Sequence, residues 1–213
     1  MRKAVLALVS VCAMAACNPG APGVGGGDVF PNLASGAYRA EATIYADDGE
    51  ATPIVMIRDG GKQRMEMSTS EGQTIVIMNP DAGEDYVISN VGGQRMAMRI
   101  GQQGMPVTDP AAEWSGDMAA NATRTGTCSV AGENGVEWTR TAADDGTANS
   151  ACVTSDGIIL RAKEGDRTVW ETTSVQRGPQ SADLFTLPPG VQVMDLGNMM
   201  QDAMRQAREA AGQ

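Results

Sequence analysis

The 213-residue chain contains no histidine. That absence removes Ser-His-Asp and Cys-His catalysis, His-ligated zinc and the usual proton shuttle near neutral pH. Aromatic residues are scarce, with Phe 2, Trp 3 and Tyr 3. Positive charge is scarce too: Lys+Arg 16 stand against Asp+Glu 26, a net charge of -10. A chain so acidic has little with which to neutralise phosphates, which argues against nucleic-acid binding. P-loop, dinucleotide-binding glycine, nucleophile-elbow and EF-hand patterns are all missing. No cofactor or catalytic set is therefore expected, and the chain reads as a non-enzymatic protein.

Methionine, in contrast, is abundant at 14, and apolar residues make up 42% of the chain. This is enough for a core and argues against wholesale disorder.

Residues 1–16 read as an address. Arg2 and Lys3 precede an apolar run from Ala4 to Met14, and small Ala15 and Ala16 follow. The run is shorter than the ~20 residues a membrane-spanning helix needs, so it is expected to be removed as a signal peptide. Met14-Ala15-Ala16-Cys17 resembles the bacterial lipobox, with Met where Leu is usual. That resemblance implies that Cys17 becomes the acylated (palmitate-bearing) N-terminus of a lipoprotein. The alternative is an ordinary secretory signal with a chance cysteine. Residues 17–29 are rich in Gly and Pro, the composition of a flexible tether. Asn18, not Asp, follows the cysteine, which points to the outer membrane facing the periplasm. The expected partners are thus the membrane, through the acyl anchor, and a lipid or lipoprotein ligand, bound by a monomer.

Four cysteines less Cys12 and Cys17 leave Cys128 and Cys152. Two thiols in an oxidising compartment read as one disulfide. A redox pair would need C-x-x-C spacing or an electropositive setting, and neither is visible. Acidic clusters at Asp47-Asp48, Asp81-Glu84-Asp85 and Asp144-Asp145 lie in turns, where Asp caps backbone groups. A metal site is not expected from them.

Residues 30–193 read as one mainly β domain. Alternation over 37–46, 62–67 and 94–100 predicts strands, and strands are also expected over 53–58, over 73–78, which is apolar on both faces, and over 85–89, all separated by Asp-Gly, Asn-Pro and Gly-Gly turns. A short helix is expected to open at Pro110, capped by Asp109. Further strands are expected over 123–130, 136–142, 151–154, 158–163 and 168–176. Residues 194–213 are expected to form an amphipathic helix, with Leu196, Met199, Met200, Ala203, Met204 and Ala207 at helical spacing. It would either lie on the sheet or meet a membrane or partner.

Five segments carry a family resemblance. They are Lys62-Gln63-Arg64-Met65-Glu66, Thr74-Ile75-Val76-Ile77, Asp85-Tyr86-Val87-Ile88, Asp156-Gly157-Ile158-Ile159-Leu160-Arg161, and the closing Leu184-Phe185-Thr186-Leu187-Pro188-Pro189-Gly190. In this order they resemble the LolA/LolB-like superfamily of envelope proteins. The resemblance implies a curved antiparallel sheet, or incomplete β-barrel, covered by short helices, with an apolar cavity for acyl chains. The chain departs from that pattern in having no clear helix before its first strand and few aromatics. Met65, Met67, Met96 and Met98 stand in alternating register and are expected to share the concave side with Ile75, Ile77 and Ile88. These seven are the candidate ligand-binding residues. The rival expectation is a structural or interaction lipoprotein, with the apolar face plugged by Trp114, Trp138 and the C-terminal helix, and no ligand.

Overall fold

A computed structural model describes residues 29–70, 72–91, 93–100, 110–141 and 148–194, together with 204, 205 and 208. Six strands form an antiparallel meander: β1 (Ala37–Tyr45), β2 (Ala51–Asp59), β3 (Lys62–Thr69), β4 (Gly72–Asn79), β5 (Glu84–Val91) and β6 (Gln94–Ile100). Helix α1 (Pro110–Asn121) follows. Then come β7 (Thr123–Val130), β8 (Glu133–Thr141), β9 (Ala148–Val153), β10 (Ile159–Glu164) and β11 (Arg167–Arg177). A 3₁₀ turn at Ala182–Phe185 precedes the short β12 (Gln192–Met194).

The twelve strands among the described residues belong to one sheet, ordered β12-β6-β5-β4-β3-β2-β1-β11-β10-β9-β8-β7. The pairing that joins the two halves is β1 with β11, antiparallel, Tyr38 opposite Arg177 and Ile44 opposite Trp170. The described pairings are antiparallel except that of β12, which runs parallel to β6. The sheet is curved and open. Its expected helical cover is minimal, because extended segments do most of the covering. Pro188-Pro189 alone bars a helix from the closing segment.

Paired residues in a sheet share a face, so the register fixes both surfaces of the meander. One face carries Ala40, Met56, Met65, Val76, Val87 and Met98 in a row across β1 to β6. The other carries Ile57, Arg64, Ile77, Tyr86 and Arg99. On this second face Ile75, Ile77, Tyr86, Ile88 and Ala97 form a buried cluster, with Leu187 and Val191 packed on it. Arg64 Nη1 donates to the Leu184 carbonyl at 3.2 Å, and Asn79 Nδ2 donates to the Phe185 carbonyl at 3.2 Å. The closing segment is thereby tied down across the back of the sheet.

The β7–β11 half has its own core. Phe30, Leu33, Met118, Val136, Trp138, Ala151 and Val153 cluster together, so the segment before β1 and helix α1 cover this part. Phe30 meets Trp138 edge to face, ring centroids 5.3 Å apart. Helix α1 runs past the short opening turn expected at Pro110, as far as Asn121, whose Nδ2 donates to the Asp117 carbonyl at 3.1 Å. The residue expected to cap it, Asp109, lies outside the described residues. So do Cys17, the signal and most of the tether. In the C-terminal stretch expected to be helical, Met204, Arg205 and Arg208 are helical and exposed, and the other residues of 195–213 lie outside the described set.

Cys128 and Cys152 form a disulfide with Cα atoms 6.0 Å apart. It joins β7 to β9 across the intervening β8, so the sheet curls sharply there. Gly135 makes that curl possible: a Cβ at this position would lie 2.9 Å from the Val153 carbonyl oxygen and 3.1 Å from the Cys152 sulfur. Arg177 fastens the same region. Its Nε donates to Asp156 at 2.6 Å and its Nη1 to Glu133 at 3.0 Å, drawing the β9–β10 turn and the start of β8 toward the end of β11.

Candidate functional site

A cavity of about 420 Å³ opens on the methionine-bearing face, where β1, β2 and β3 meet β10 and β11. Its size falls in the range of small-molecule sites. Tyr38, Ala40 and Ile44 come from β1, Met56 from β2, Gln63 and Met65 from β3. Their common parity follows from the hairpin register: Met56 pairs with Met65 and Arg58 with Gln63. Ala162 and Trp170, opposite each other on β10 and β11, complete the far wall with Ile159. Leu33, Gly157 and Ile158 close one end.

That closure depends on a tight fit between two loops. Gly157 has φ +84, and a Cβ there would lie 2.2 Å from the Asn32 carbonyl oxygen. The turn before it is held by Thr154, whose Oγ1 accepts from the Ile158 N–H at 2.8 Å. Trp170 is fixed at the other end: its Nε1 donates to Thr172 Oγ1 at 3.1 Å and to the Ile159 carbonyl at 3.3 Å.

The seven residues expected to line one apolar surface are divided between two. Met65 lines the cavity. Met67 continues the same face along β3, and Met96 and Met98 lie on that face but on β6, three strands away. Ile75, Ile77 and Ile88 are on the opposite face, in the cluster sealed by the closing segment. The reason is parity. Met65 pairs with Val76, so Val76 faces the cavity side and its neighbours Ile75 and Ile77 face away. Strand β4 is apolar on both faces, and its composition does not distinguish them.

Sequence reasoning missed Tyr38, Ile44, Met56 and Gln63 as lining residues. Met56 and Gln63 carry a parity signal, since each falls in step with Met65 across or along a hairpin. The β10–β11 wall has no such local signal, because its contact with β1 joins residues more than a hundred positions apart.

The other candidate centres resolve into structural roles. Cys128, Cys152 and Glu137 lie close together, but both sulfurs are bonded to each other and Glu137 pairs with Arg161 at 3.4 Å. Asp47 pairs with Arg167 at 2.8 Å, and Asp48 accepts from the Glu50 N–H at 3.0 Å. Asp81 pairs with Lys62 at 3.6 Å, and Asp85 accepts from the Asn79 N–H at 3.1 Å. Asp144 and Asp145 lie outside the described residues. Trp138 is buried over β8 and β9, away from the cavity, and the side chain of Trp114 is outside the described set.

The fold and site define an open, curved antiparallel sheet with an apolar pocket on one face. Solved structures share this architecture. The MucA/MucB complex from Pseudomonas aeruginosa is similar at a TM-score of 0.52 and 15% identity, covering 76% of this chain and 59% of that one. MucB crystallised without a named partner is similar at a TM-score of 0.49 and 14% identity, covering 76% and 61%. This chain spans about three-fifths of the length of those neighbours. At such identities the likeness is one of fold. No family model matches the sequence. No curated protein matches it either.

Proposed function

We propose that this chain is an exported envelope protein, tethered through an acylated Cys17, whose half-open sheet holds an apolar chain of a lipid or lipoprotein without covalent chemistry. The observation that carries this reading is the cavity of about 420 Å³ between β1–β3 and β10–β11. Its walls offer methylene, thioether and ring surfaces. Burying an apolar chain against them gains roughly 25 cal/mol per Å² removed from water. Methionine suits such a wall, because its unbranched, polarizable side chain adapts to irregular guests. The signal-like start, the lipobox resemblance and the disulfide support an oxidising, envelope location.

The test is native mass spectrometry of the exported full chain carrying Cys17→Ser, beside the intact mass of the unaltered protein. The expected result is a co-purifying lipid mass on the variant, released by organic solvent, and an acyl adduct on the unaltered protein only. A chain that comes away bare and ignores added fatty-acid probes refutes the ligand role.

A second reading is favoured by the likeness to MucB as solved in complex with MucA. Beyond the cavity, Met67, Val76, Val87, Met96 and Met98 remain half-exposed on the same face. A protein partner could cover them. The readings part on occupancy, since a partner-binding protein purified alone carries no lipid.

A further inference from the structure

The cavity is long, narrow and closed at one end. Leu33, Tyr38 and Ile158 stand at a buried end, and Ile44, Met65, Ala162 and Trp170 build a half-exposed end. From Tyr38 to Ile44 strand β1 runs roughly 20 Å, at about 3.3 Å per residue. The volume of about 420 Å³, spread over that length, gives a bore roughly 5 Å across. Carbon atoms in contact lie about 3.5–4.0 Å apart, so the bore admits one hydrocarbon chain and not two side by side.

Small side chains keep the bore open: Ala40 on β1 and Ala162 on β10 line it, where longer ones would fill it. The closed end is firmly built. Gly157 is pressed against the Asn32 carbonyl, and the Ile158 N–H donates to Thr154 Oγ1 at 2.8 Å. Leu33 belongs also to the core around Phe30 and Trp138. Gln63 lies toward this end, with its amide oxygen engaged by Arg58. The open end is charged. Beyond Ala162 and Trp170, strands β10 and β11 bring Glu164 opposite Arg167, which also pairs with Asp47 at 2.8 Å. A polar headgroup keeps its water at such a rim, and a methyl end needs no partner at the stop.

Resting on the binding role proposed above, we infer that the site takes a single straight acyl chain, methyl end first, and measures its length against a stop built by Leu33, Tyr38 and Ile158. The headgroup stays outside, beside Trp170. A stretched chain advances about 1.3 Å per carbon, given C–C bonds of about 1.5 Å, so about 15 carbons fill the bore. A lysophospholipid and an acylated cysteine of a lipoprotein share this chemistry.

The experiment uses the full chain with Cys17→Ser, loaded with diphenylhexatriene, a rod-shaped hydrocarbon probe. Lysophosphatidylcholines from octanoyl to eicosanoyl compete for the site below their micelle-forming concentrations. Each added carbon should tighten competition about fourfold. The gain should cease once the chain meets the stop, near about 15 carbons. Leu33→Ala should move that break to longer chains and Ala40→Leu to shorter ones, so one shift suffices if the other variant fails to fold. Orientation is read from Trp170. Bound 2-bromohexadecanoate should quench its fluorescence, an effect that Trp170→Phe removes, and 16-bromohexadecanoate should not. An acylated cysteinyl peptide with the best chain, set against the lysophospholipid with the same chain, identifies the source by the tighter binder. A gain that continues through eicosanoyl, a break that stays in place in every folded variant, or quenching of Trp170 by the terminal bromide alone overturns the inference and leaves the binding role standing. Failure of the probe and of every competitor to bind overturns the binding role and this inference together.

Discussion

The two halves of the single sheet are finished differently. Over β7–β11 the surface is closed with rigid parts: Phe30 against Trp138, Met118 of α1, the Cys128–Cys152 bond and the Arg177 grip on Asp156 and Glu133. Over β1–β6 the back is sealed by the segment around Phe185 and Leu187, but the cavity face is left half-exposed and rich in methionine. The Phe30–Trp138 pair and the covalent link sit where shape is fixed, whereas Tyr38 and Trp170 line the cavity. Thioethers sit where the wall has no permanent occupant. The contrast teaches that one continuous hydrogen-bonded layer can carry a rigid frame and an adaptable surface side by side, with the cavity lying across the β1–β11 pairing where they meet.

Three measurements break or sharpen this contrast. The largest effect is expected from Trp138→Ala, which should cost about 3–5 kcal/mol in denaturant unfolding, as for other deeply buried rings. Met65→Ala should cost under about 2 kcal/mol, because its side chain is only half-buried, yet should weaken apolar-probe binding more than Trp138→Ala does. The reverse pattern would erase the distinction between frame and surface. Next is the disulfide. Replacing Cys128 and Cys152 together with Ala, across a sequence separation of 24, should cost about 3.5 kcal/mol on the chain-entropy account. Probe affinity should survive at temperatures where the variant stays folded; its loss would show that the curl at β7–β9 governs the cavity.

The smallest effect concerns acid. Burial pushes the Asp156 carboxyl up, but hydrogen bonds from Arg177 and Thr154 and the Arg177 charge outweigh it and hold the group below its ordinary value. The same hydrogen bonds to Asp156 and Glu133 raise Arg177. A carboxyl depressed on folding contributes stability above its unfolded value of about 3.9, and that stability drains away as pH falls through the folded value. The two side chains are 41% and 44% exposed, so solvent screening limits the contribution to under about 1 kcal/mol. Arg177→Met should therefore flatten the loss of stability below about pH 4, measured by thermal unfolding.

Much of the strand layout was legible because turn chemistry and alternation agree. Gln94–Ile100 and Thr123–Val130 have the limits expected, and most other strands extend the expected spans by one to three residues. The side on which each strand faces the cavity was legible only where one parity is polar. In β3 the alternation of Met65 and Met67 with Arg64 and Glu66 separates the faces. In β4 no contrast exists, so Ile75 and Ile77 could not be placed without the pairing of Met65 with Val76. Strand β12 is too short for a pattern, and its parallel pairing with β6 depends on a long return of chain. The cavity was hidden for a different reason. It arises where β1 meets β11, a contact set by the global strand order. Gln63 shares the parity of Met65, but a glutamine at a strand position advertises neither burial nor a charged neighbour.

The borders of the sheet carry a consequence of their own. A twelve-stranded open layer ordinarily exposes two long rows of unpaired amides, each a template for another chain to zip onto. Here one border is the three-residue β12, which shields part of β6 and offers little length itself. The other, β7, is bent inward and locked by its sulfur bond. The molecule thus keeps an uncovered oily face while denying its neighbours a ragged seam on which to polymerise.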